Sequence, residues 1–317
     1  MIKVGVVGVG RLGQHHARNY AFENIKNSNL VAVCDVDEET TKKIAKKFKV
    51  DYFSDYKNFL GKVDAVSIVV PTHLHFEVAK FFLSHKIHCL VEKPITTTLQ
   101  EAQELIDIAY KNDLILQVGH IERFNPAIIE IQKFIKNPKY IDVNRLGTYS
   151  QRVSNISVVL DLMVHDLDMV LFLTNSEVEK VDAAGTKVIS ETEDIANVRI
   201  KFKNGCVANI SASRVSMEKL RKIRLFQSES YISLNYEDQS FKIYTKNPKV
   251  EKIQDLSDIK IEKFKPKKNV EPLFLELTDF IYCIINHKNP KVDGKHGYNA
   301  LKLALEVREK IKEFSDN

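Results

Sequence analysis

The fold is decided by residues 2–13, which read Ile-Lys-Val-Gly-Val-Val-Gly-Val-Gly-Arg-Leu-Gly. The apolar run Ile2–Val7 predicts a buried β-strand, and Leu12–Phe22 carries apolar side chains at helical spacing. Gly8 and Gly10 stand between the two elements, and Gly13 lies at the start of the predicted helix. Such glycines permit a tight turn, let backbone approach a ligand and allow close packing of helix on strand, while the helix N-terminus favours an anion. The segment therefore predicts a strand–turn–helix unit that binds a phosphate group.

An acidic residue completes the pattern of a dinucleotide-binding site. Asp35 stands at the end of a second predicted strand, Leu30–Cys34, and follows the last glycine by 22 residues. A carboxylate at this distance accepts hydrogen bonds from the ribose hydroxyls of an NAD-type cofactor. Val36 comes next, and no Arg or Lys stands at the following few positions to bind a 2′-phosphate, so we expect NAD rather than NADP. Arg11 and Leu12, between the glycines, belong to the predicted cofactor site.

The first 120 residues alternate short β-branched runs with helical patterns. The predicted strands are Ile2–Val7, Leu30–Cys34, Ala65–Val70, His88–Val91 and Leu114–Val118. The helices between them are Leu12–Phe22, Glu38–Phe48, Phe76–His85 and Leu99–Tyr110. Strands that alternate with helices predict βαβ units, and hence an α/β Rossmann domain with a doubly wound parallel sheet over residues 1–122.

The remaining residues have a different pattern. A helix at Pro126–Ile135 precedes a strand around Leu146–Arg152 and an apolar helix from Val158 to Leu173. Strand-like runs follow at Val178–Val188, Ala196–Phe202, Val207–Ser213, Ile223–Gln227, Tyr231–Asn235 and Phe241–Tyr244, and helices at Pro272–Ile285 and Gly297–Phe314. We therefore predict that residues 123–317 form an α+β domain with a large, mainly antiparallel open sheet, which binds substrate and mediates oligomerisation. The last helix is expected to pack back on the first domain.

The composition excludes several classes of protein. The 317 residues are 44% hydrophobic and 28% charged, with a net charge of +5 spread over many lysines. The densest basic stretch, Lys265–Lys268, is short, so we predict no nucleic-acid partner. No apolar run approaches the roughly 20 residues that span a bilayer. The four cysteines form no CxxC pair, and no further ligand flanks His73 and His75, so we predict a reduced, cytoplasmic protein without a metal site.

Polar side chains follow several of the predicted strands. Glu92-Lys93-Pro94 comes directly after the strand His88–Val91, which places a lysine at the carboxyl end of a parallel strand, where such sheets bind ligands. Val70-Pro-Thr-His-Leu-His75 and Gly119-His-Ile-Glu-Arg-Phe-Asn-Pro126 leave two other strands. We therefore expect a chemical site at this edge of the first sheet.

The apolar helix Val158–Leu173 carries Asp161, His165 and Asp168. At 100° per residue these three side chains fall within an arc of about 60°. Nearly all other positions are apolar, and only Asp166 breaks the pattern. A thin polar stripe on an otherwise buried helix is typical of residues that line a cleft.

In this order, Gly-x-Gly-x-x-Gly, Glu-Lys-Pro and Asp-x-x-x-His-x-x-Asp resemble the motifs of the glucose–fructose oxidoreductase / inositol dehydrogenase (Gfo/Idh/MocA) family, over essentially the whole chain. The resemblance implies that Lys93, Asp161 and His165 surround the carbon that loses its hydride. His165 would be the general base, Lys93 would stabilise the developing alkoxide, and Asp161 would orient the sugar. A lysine beside a cationic nicotinamide is an alternative base, and the sequence leaves this open. The positions implied beside the nicotinamide are Pro71, His75, Glu92 and Pro94, and Thr72 and Lys93 are also predicted to bind the cofactor.

Within this family, residues 158–168, 119–126 and 271–276 resemble the branch of UDP-N-acetylglucosamine 3-dehydrogenases. That branch oxidises the sugar 3-hydroxyl to a ketone, which a PLP-dependent aminotransferase then consumes. The residues predicted to bind substrate are Arg123, Asn125, Arg152, Asp161, His165 and Arg214. The three arginines suit a pyrophosphate, although structural ion pairs are an alternative role for them. Where many members carry glycines around the Asp, this chain has bulkier residues such as Ser157 and Met163, which weakens any transfer of inositol or glucose specificity.

Three other functions remain open at this stage. They are oxidation of a free cyclitol or aldose, a redox-neutral glycosidase that keeps NAD bound, and a non-catalytic NAD-binding regulator. The retained Lys93, Asp161 and His165 argue against the regulator. We also expect a homo-oligomer, because the open face of the second sheet would otherwise expose a large apolar surface.

Overall fold

The structure is a computed structural model and describes residues 1–22, 25–151, 155–248, 255–266 and 270–315. The chain forms two compact units. The first comprises Met1–Phe124 and Glu271–Leu301, and the second comprises Asn125–Val270 and Lys302–Asn317. The segment Glu271–Leu301 thus belongs to the first unit, whereas the sequence-based boundary placed every residue after 122 in the second.

The described part of the first unit contains a six-stranded sheet, in the order β3-β2-β1-β4-β5-β6, with every neighbouring pair parallel. Its strands are β1 (Ile2–Val7), β2 (Ser28–Cys34), β3 (Asp51–Phe53), β4 (Ala65–Ile68), β5 (His88–Glu92) and β6 (Leu116–Gly119). This confirms the predicted doubly wound parallel sheet. In such a sheet the carboxyl ends of the strands share one edge, so the loops that follow β1, β4, β5 and β6 open at the same edge.

The helices are α1 (Arg11–Phe22), α2 (Glu38–Phe48), α3 (His75–Ser84), α4 (Leu99–Lys111), α5 (Pro126–Ile131), α6 (Val164–Thr174), α7 (Pro272–Asn286) and α8 (Gly294–Ser315). Helix α4 illustrates why they form where they do. The side chain of Thr98 accepts a hydrogen bond from the Glu101 amide at 3.2 Å, and Glu101 accepts one from the Thr98 amide at 3.0 Å. This capping box starts the helix, and Ala102, Leu105 and Ala109 form its buried face. Nowhere in the described ranges is a helix long and apolar enough to span a membrane.

The described part of the second unit contains an eight-stranded sheet, in the order β14-β13-β12-β11-β7-β10-β9-β8. Its strands are β7 (Tyr140–Leu146), β8 (Val178–Thr186), β9 (Ile195–Phe202), β10 (Val207–Ser213), β11 (Leu220–Gln227), β12 (Ser230–Asn235), β13 (Ser240–Lys246) and β14 (Ile259–Phe264). Strands β7 and β10 pair in parallel, and the other neighbours are antiparallel. The predicted, mainly antiparallel sheet is confirmed.

The predicted strand around Leu146–Arg152 is wrong, because the strand in this region ends at Leu146. Its inward positions are Ile141, Val143 and Arg145, in strict alternation with half-buried residues. Because one inward position is the charged residue Arg145, the sequence does not show the regular alternation of apolar and polar residues that predicts a strand. Arg145 is nevertheless buried, since it forms an ion pair with Asp166.

The outward face of this sheet differs from the large apolar surface that was expected. Polar side chains predominate on it, and several bond each other, as when Arg199 donates to Asn209 at 3.1 Å and Asn197 donates to Ser211 at 2.7 Å. One aromatic row crosses four strands, with ring centroids 4.8–5.6 Å apart, and consists of Tyr140, Phe226, Tyr231 and Tyr244. The described part of this face is therefore largely polar, and an aromatic row crosses it.

Candidate active site

The glycine loop between β1 and α1 has the close contacts that its sequence predicts. A β-carbon at Gly13 would lie 1.8 Å from the Gly8 carbonyl oxygen, and one at Gly8 would lie 2.4 Å from the Val69 oxygen. Gly8 also has φ +88°, a conformation that L side chains rarely adopt. A β-carbon at Gly10, in contrast, would meet nothing within 4 Å. The loop is thus packed tightly against helix and strand, while its middle is open to a ligand.

This geometry fits a dinucleotide. Helix α1 begins at Arg11, directly after the open glycine, so the partial positive charge of its N-terminus lies beside that space. Arg11 and Leu12 are exposed on its first turn. The loop therefore offers backbone amides and a helix dipole to a pyrophosphate, as predicted from the sequence.

Asp35 is fixed at the end of β2 by the glycine loop. Its carboxylate accepts hydrogen bonds from the Val9 amide at 2.7 Å and from the Asp37 amide at 3.1 Å. Each carboxylate oxygen keeps a lone pair, so Asp35 can still accept hydrogen bonds from ribose hydroxyls. Val36 beside it is 90% exposed, and Asp37 caps α2 by accepting from the Thr40 amide. The residues that follow β2 thus carry two carboxylates, Asp35 and Asp37, whereas the 2′-phosphate of NADP is usually bound by a cationic side chain.

The loop after β4 and the loop after β5 are tied together by His75. Its Nδ1 lies 2.8 Å from the Pro94 oxygen and its Nε2 lies 2.9 Å from the Val70 oxygen. The side chain is 1% exposed, so its ring is engaged by backbone. The Lys93–Pro94 peptide bond is cis. His75 therefore braces the cofactor loops, whereas Pro71 is exposed and Thr72 is half-buried at the turn.

Lys93 is half-buried at the end of β5, and Glu92 beneath it is buried. Glu92 accepts a hydrogen bond from the Lys93 amide at 3.2 Å, and its other oxygen lies 3.2 Å from Nε2 of His16. Burial raises the pKa of Glu92, but the contacts with His16 and Lys93 outweigh it and hold the pKa below its usual range. The carboxylate is therefore charged next to the candidate catalytic lysine.

His16 was not predicted to belong to the site. It is fully buried on α1, one turn after Gly13, and shares the inward face with Ala17 and Tyr20. This spacing of i, i+3, i+4 and i+7 was visible in the sequence and indicates an inward histidine. Only the fold shows that its partner is Glu92, 76 residues further along the chain.

In the second unit, the predicted polar helix begins with a π-helical turn at Val159–Met163 and continues as α6. The uniform 100° spacing that placed the three polar residues on one stripe does not apply through this turn. Asp161 and His165 are half-buried, whereas Asp168 is 1% exposed. Asp161 and His165 thus remain as the accessible polar pair, and π-turns are frequent at functional sites.

Asp166, the residue that breaks the apolar pattern of this helix, has a structural role. Arg145 on β7 donates to it twice, from Nε at 2.7 Å and from Nη2 at 2.9 Å. Both side chains are buried, and the guanidinium lies 5.4 Å from the ring centre of Tyr236. This paired bond anchors the helix that carries His165 to the sheet.

Two of the predicted substrate-binding residues are engaged within the protein. Arg214 is 2% exposed and donates to Asp194 at 2.7 Å, to Thr192 at 2.8 Å and to the backbone. Asn125 caps α5 by accepting from the Ala127 amide at 3.0 Å and donates to the Tyr236 oxygen at 3.2 Å. Arg214 therefore has the structural ion pair that was considered as its alternative role, and we carry neither residue into the substrate site.

Arg123 and Arg152 complete the predicted set. Arg123 is 5% exposed in the 3₁₀ turn Ile121–Phe124 that follows β6. Arg152 lies outside the described residues. Among the residues described, no group of three or more His, Cys, Asp or Glu side chains could hold a metal ion.

Comparison with known proteins agrees with this geometry. A family model described as an oxidoreductase family with an NAD-binding Rossmann fold (GFO_IDH_MocA) matches residues 2–120, and the GFO/IDH/MocA C-terminal domain model matches residues 137–233. A levoglucosan dehydrogenase, solved in complex with NADH and levoglucosan, shares the fold with a TM-score of 0.89 at 19% identity, covering 98% of this chain and 97% of that one.

Curated relatives match along the full chain. UDP-N-acetylglucosamine 3-dehydrogenase of Acidithiobacillus ferrooxidans is 36% identical over 315 residues, which cover 99% of this chain and 98% of that protein. Its solved structure superposes with a TM-score of 0.91 at 35% identity, with coverage of 99% and 98%. Myo-inositol 2-dehydrogenase of Thermotoga maritima is 26% identical over 332 residues, which cover 98% and 97%. With both domain models matched and a full-length relative at this identity, the chain belongs to the Gfo/Idh/MocA family of NAD-binding oxidoreductases.

Proposed function

We propose that this enzyme oxidises the 3-hydroxyl of UDP-N-acetylglucosamine to a ketone, with NAD as the hydride acceptor. The observation that carries the proposal is the 36% identity, over 99% of the chain, with a UDP-N-acetylglucosamine 3-dehydrogenase. The proposal also uses Lys93, Asp161 and His165, to which the sequence motifs assign the chemistry by their resemblance to the family. Lys93 directly follows β5 in the first unit, whereas Asp161 lies on the π-helical turn and His165 on α6 of the second.

The chemistry divides between the cofactor and these side chains. NAD, which the glycine loop and Asp35 would hold, would supply the acceptor for the hydride. An imidazole nitrogen of His165 takes the hydroxyl proton, for which its near-neutral unperturbed pKa is suited. The Lys93 ammonium donates a hydrogen bond to the same oxygen and stabilises the alkoxide charge as it develops. The Asp161 carboxylate accepts a hydrogen bond from a neighbouring sugar hydroxyl and so fixes the orientation of the sugar ring.

The first unit favours NAD over NADP. The carboxylate of Asp35 is locked to the loop by the Val9 amide, so it cannot turn away from a ligand without losing that bond. Asp37 adds a second negative charge two residues later, and Val36 between them is exposed and apolar. A 2′-phosphate would meet two carboxylates and no cation from these residues, whereas a free 2′-hydroxyl would meet an acceptor.

A free cyclitol or aldose is the second candidate substrate, favoured by the 26% identity with a myo-inositol 2-dehydrogenase. Ser157 weighs against it, since this position differs from the glycine of many members. Its hydroxyl accepts from the Val159 amide at 3.2 Å and the residue is 3% exposed, so it helps to start the π-turn before Asp161. A redox-neutral glycosidase and a non-catalytic regulator are distinguished from both by the formation of NADH.

Two partners follow from the proposal. A ketone made at the 3-position is a substrate for a PLP-dependent aminotransferase, which would consume it. The second is another copy of this chain, for which the aromatic row through Phe226 and Tyr231 offers the apolar part of the outward sheet face. Light scattering after gel filtration measures the assembly, and a single-chain mass at all concentrations would reject it.

The activity test uses the purified full chain with NAD and UDP-N-acetylglucosamine, and follows NADH absorbance. Glutamate and a matching aminotransferase are present to remove the ketone. We expect NADH production that disappears in His165→Ala and Lys93→Ala but persists in two surface controls, His85→Ala and Lys111→Ala. If NAD binds but no NADH forms with the nucleotide sugar, the substrate assignment is wrong. Formation of NADH with myo-inositol instead would then establish the second candidate.

A further inference from the structure

A buried acid on α7 has no role in the fold described so far. The side chain of Glu276 is 0% exposed, and neither carboxyl oxygen has a hydrogen-bond partner among the described residues. Its backbone oxygen accepts from Nε2 of Gln117 on β6 at 3.0 Å, which fixes this part of the helix against the sheet. A charged carboxylate is strongly disfavoured in such surroundings. Burial without a hydrogen-bond partner from the described part of the chain therefore favours the neutral acid form of Glu276.

A second buried carboxyl stands on the same side of β6. Gln117 and Gly119 are two residues apart on this strand, so they face the same side of the sheet. A β-carbon built on Gly119 would lie 2.8 Å from Cδ of Glu92. Glu92 thus packs where Gly119 leaves room, next to the place where Gln117 binds the helix of Glu276. The missing side chain at residue 119 makes the space for this carboxyl.

The charged groups around the two carboxyls determine which of them holds the proton. His16 on α1 and Lys93 face Glu92, and they keep it ionised. Tyr20 on α1, whose hydroxyl lies 3.1 Å from that of Ser67, and Asp279 on α7 are the other titratable groups that interact with Glu276. Burial, together with repulsion from Glu92 and Asp279, raises the pKa of Glu276 well above its usual range.

We propose that Glu276 and Glu92 form a carboxyl pair that holds one proton, on Glu276, and that this pair sets the relative affinity of the enzyme for oxidised and reduced cofactor. The inference rests on the proposed function, which places the nicotinamide at Lys93. The charge of Glu92 favours the cationic ring of NAD⁺ over the neutral ring of NADH. A second negative charge, which appears when Glu276 loses its proton, increases this preference. Glu276 is a positioning residue in this scheme, since it acts through the potential at Lys93 and touches no reacting atom.

The folded protein tolerates this acid at a cost in stability. An acid whose folded-state pKa lies above its unfolded value keeps a proton that the unfolded chain has already lost. Stability therefore falls as the pH rises from about 4.3, the unfolded value for glutamate, towards the folded pKa. A neutral glutamine at position 276 would escape this loss. The presence of glutamate at a position where a neutral side chain would be more stable supports a functional role.

The test compares the dissociation constants of NAD⁺ and NADH from neutral to alkaline pH in the full-length enzyme. Their ratio cancels the contributions of pyrophosphate and ribose, which both forms share. We expect the wild type to shift the ratio towards NAD⁺ by about tenfold, equivalent to roughly 1.4 kcal/mol, as Glu276 ionises. In Glu276→Gln the ratio should stay constant over the same range. Both proteins retain all the other titratable groups, so the difference between them reports Glu276.

Glu104→Gln is the matched control, because Glu104 is a partly exposed residue of α4 in the same unit. It should keep the pH dependence of the wild type. An unchanged pH dependence in Glu276→Gln would overturn the proposal. Should that variant not fold, Glu276→Met provides the same comparison with another neutral side chain.

A second measurement needs no cofactor. The infrared spectrum of the wild type at neutral pH should contain the carbonyl band of a buried neutral carboxylic acid, and Glu276→Gln should lack it. The melting temperature of Glu276→Gln should exceed that of the wild type by an amount that grows with pH. Absence of the band would show that Glu276 does not hold the proton. If neither NAD⁺ nor NADH binds, the proposed function fails, while the infrared and thermal results still decide whether the carboxyl pair exists.

Discussion

Gly10 and Gly13 are close in sequence, but the structure predicts opposite consequences when each is replaced by alanine. A β-carbon at Gly13 would lie 1.8 Å from the carbonyl oxygen and 2.8 Å from the carbonyl carbon of Gly8. Both contacts are with backbone, so no side chain can rotate away to relieve them. A β-carbon at Gly10 would have no heavy atom within 4 Å. Gly13→Ala therefore tests packing, and Gly10→Ala tests the space for a ligand.

The cost of Gly13→Ala follows from the displacement that it requires. Ordinary contact would require the start of α1 to move away from the loop by more than about 1 Å, and overpacking of this kind costs roughly 1–3 kcal/mol, occasionally more. Because the clash is severe, we expect about 3 kcal/mol, which alanine's better helix propensity of about 1 kcal/mol does not offset. That loss lowers the melting temperature by roughly 6–12 °C for a unit of this size. Gly10→Ala should change stability by less than about 1 kcal/mol.

Thermal unfolding without cofactor and calorimetric titration with NAD separate the two effects. Gly10→Ala should have the melting temperature of the wild type. It should bind NAD at least about tenfold more weakly, a loss of roughly 1.4 kcal/mol, because its methyl group occupies the open space over the loop. Gly13→Ala should have a lower melting temperature than the wild type. A Gly13→Ala protein as stable as the wild type would refute the packing of helix against loop. Unchanged NAD affinity in Gly10→Ala would show that the pyrophosphate binds elsewhere.

Three further substitutions test other parts of the structure. Asp166→Asn leaves a buried guanidinium without its counter-charge and should cost about 3–5 kcal/mol in urea unfolding, whereas Asp182→Asn, in an exposed pair, should cost less than about 1 kcal/mol. Burial raises the pKa of Asp194, but backbone donors and a buried arginine outweigh it and hold the pKa well below its usual range. The stability that Asp194 contributes is thus present above about pH 3.9 and is lost as the pH falls further. In acid unfolding experiments, the stability of Asp194→Asn should therefore fall less steeply with decreasing pH than that of the wild type. Gly119→Ala should displace Glu92 and alter the ratio of NAD⁺ to NADH affinity while NAD still binds; an unchanged ratio would contradict the close contact.

The first sheet was predictable because its signals are local. Parallel strands buried on both faces read as continuous apolar runs, and the helices between them show their own period. Two strands for which the sequence predicted no counterpart, β3 and β14, lack these signals. β3 has three residues, two of them exposed, and β14 is an edge strand whose four central residues, 260–263, are exposed. A short or charged edge strand is defined by the neighbour that it pairs with, which the sequence does not show.

The same division runs through the candidate site. The glycine loop, Asp35 and Lys93 could be predicted from the sequence because each stands at the end of a strand or in the turn after it. The structural role of Arg214 could not be predicted in this way. An arginine beside a cleft and an arginine in a buried ion pair look alike in sequence, and the partner that decides between them, Asp194, lies 20 residues away on another strand end.

Inward polar residues on apolar helix faces are the places where sequence and structure must be read together. Asp166 and Glu276 both interrupt such a face, and the pattern treats them alike. The fold separates them by their partners. Asp166 receives two hydrogen bonds from a buried arginine, so its charge is compensated and its role is to fix α6. The Glu276 carboxyl receives no hydrogen bond from the described residues, so it lowers the stability of the fold above acidic pH and contributes no stabilising contact of its own. A residue that stabilises the fold needs no further explanation, whereas one that destabilises it near a charged carboxylate is best explained by its effect on that carboxylate.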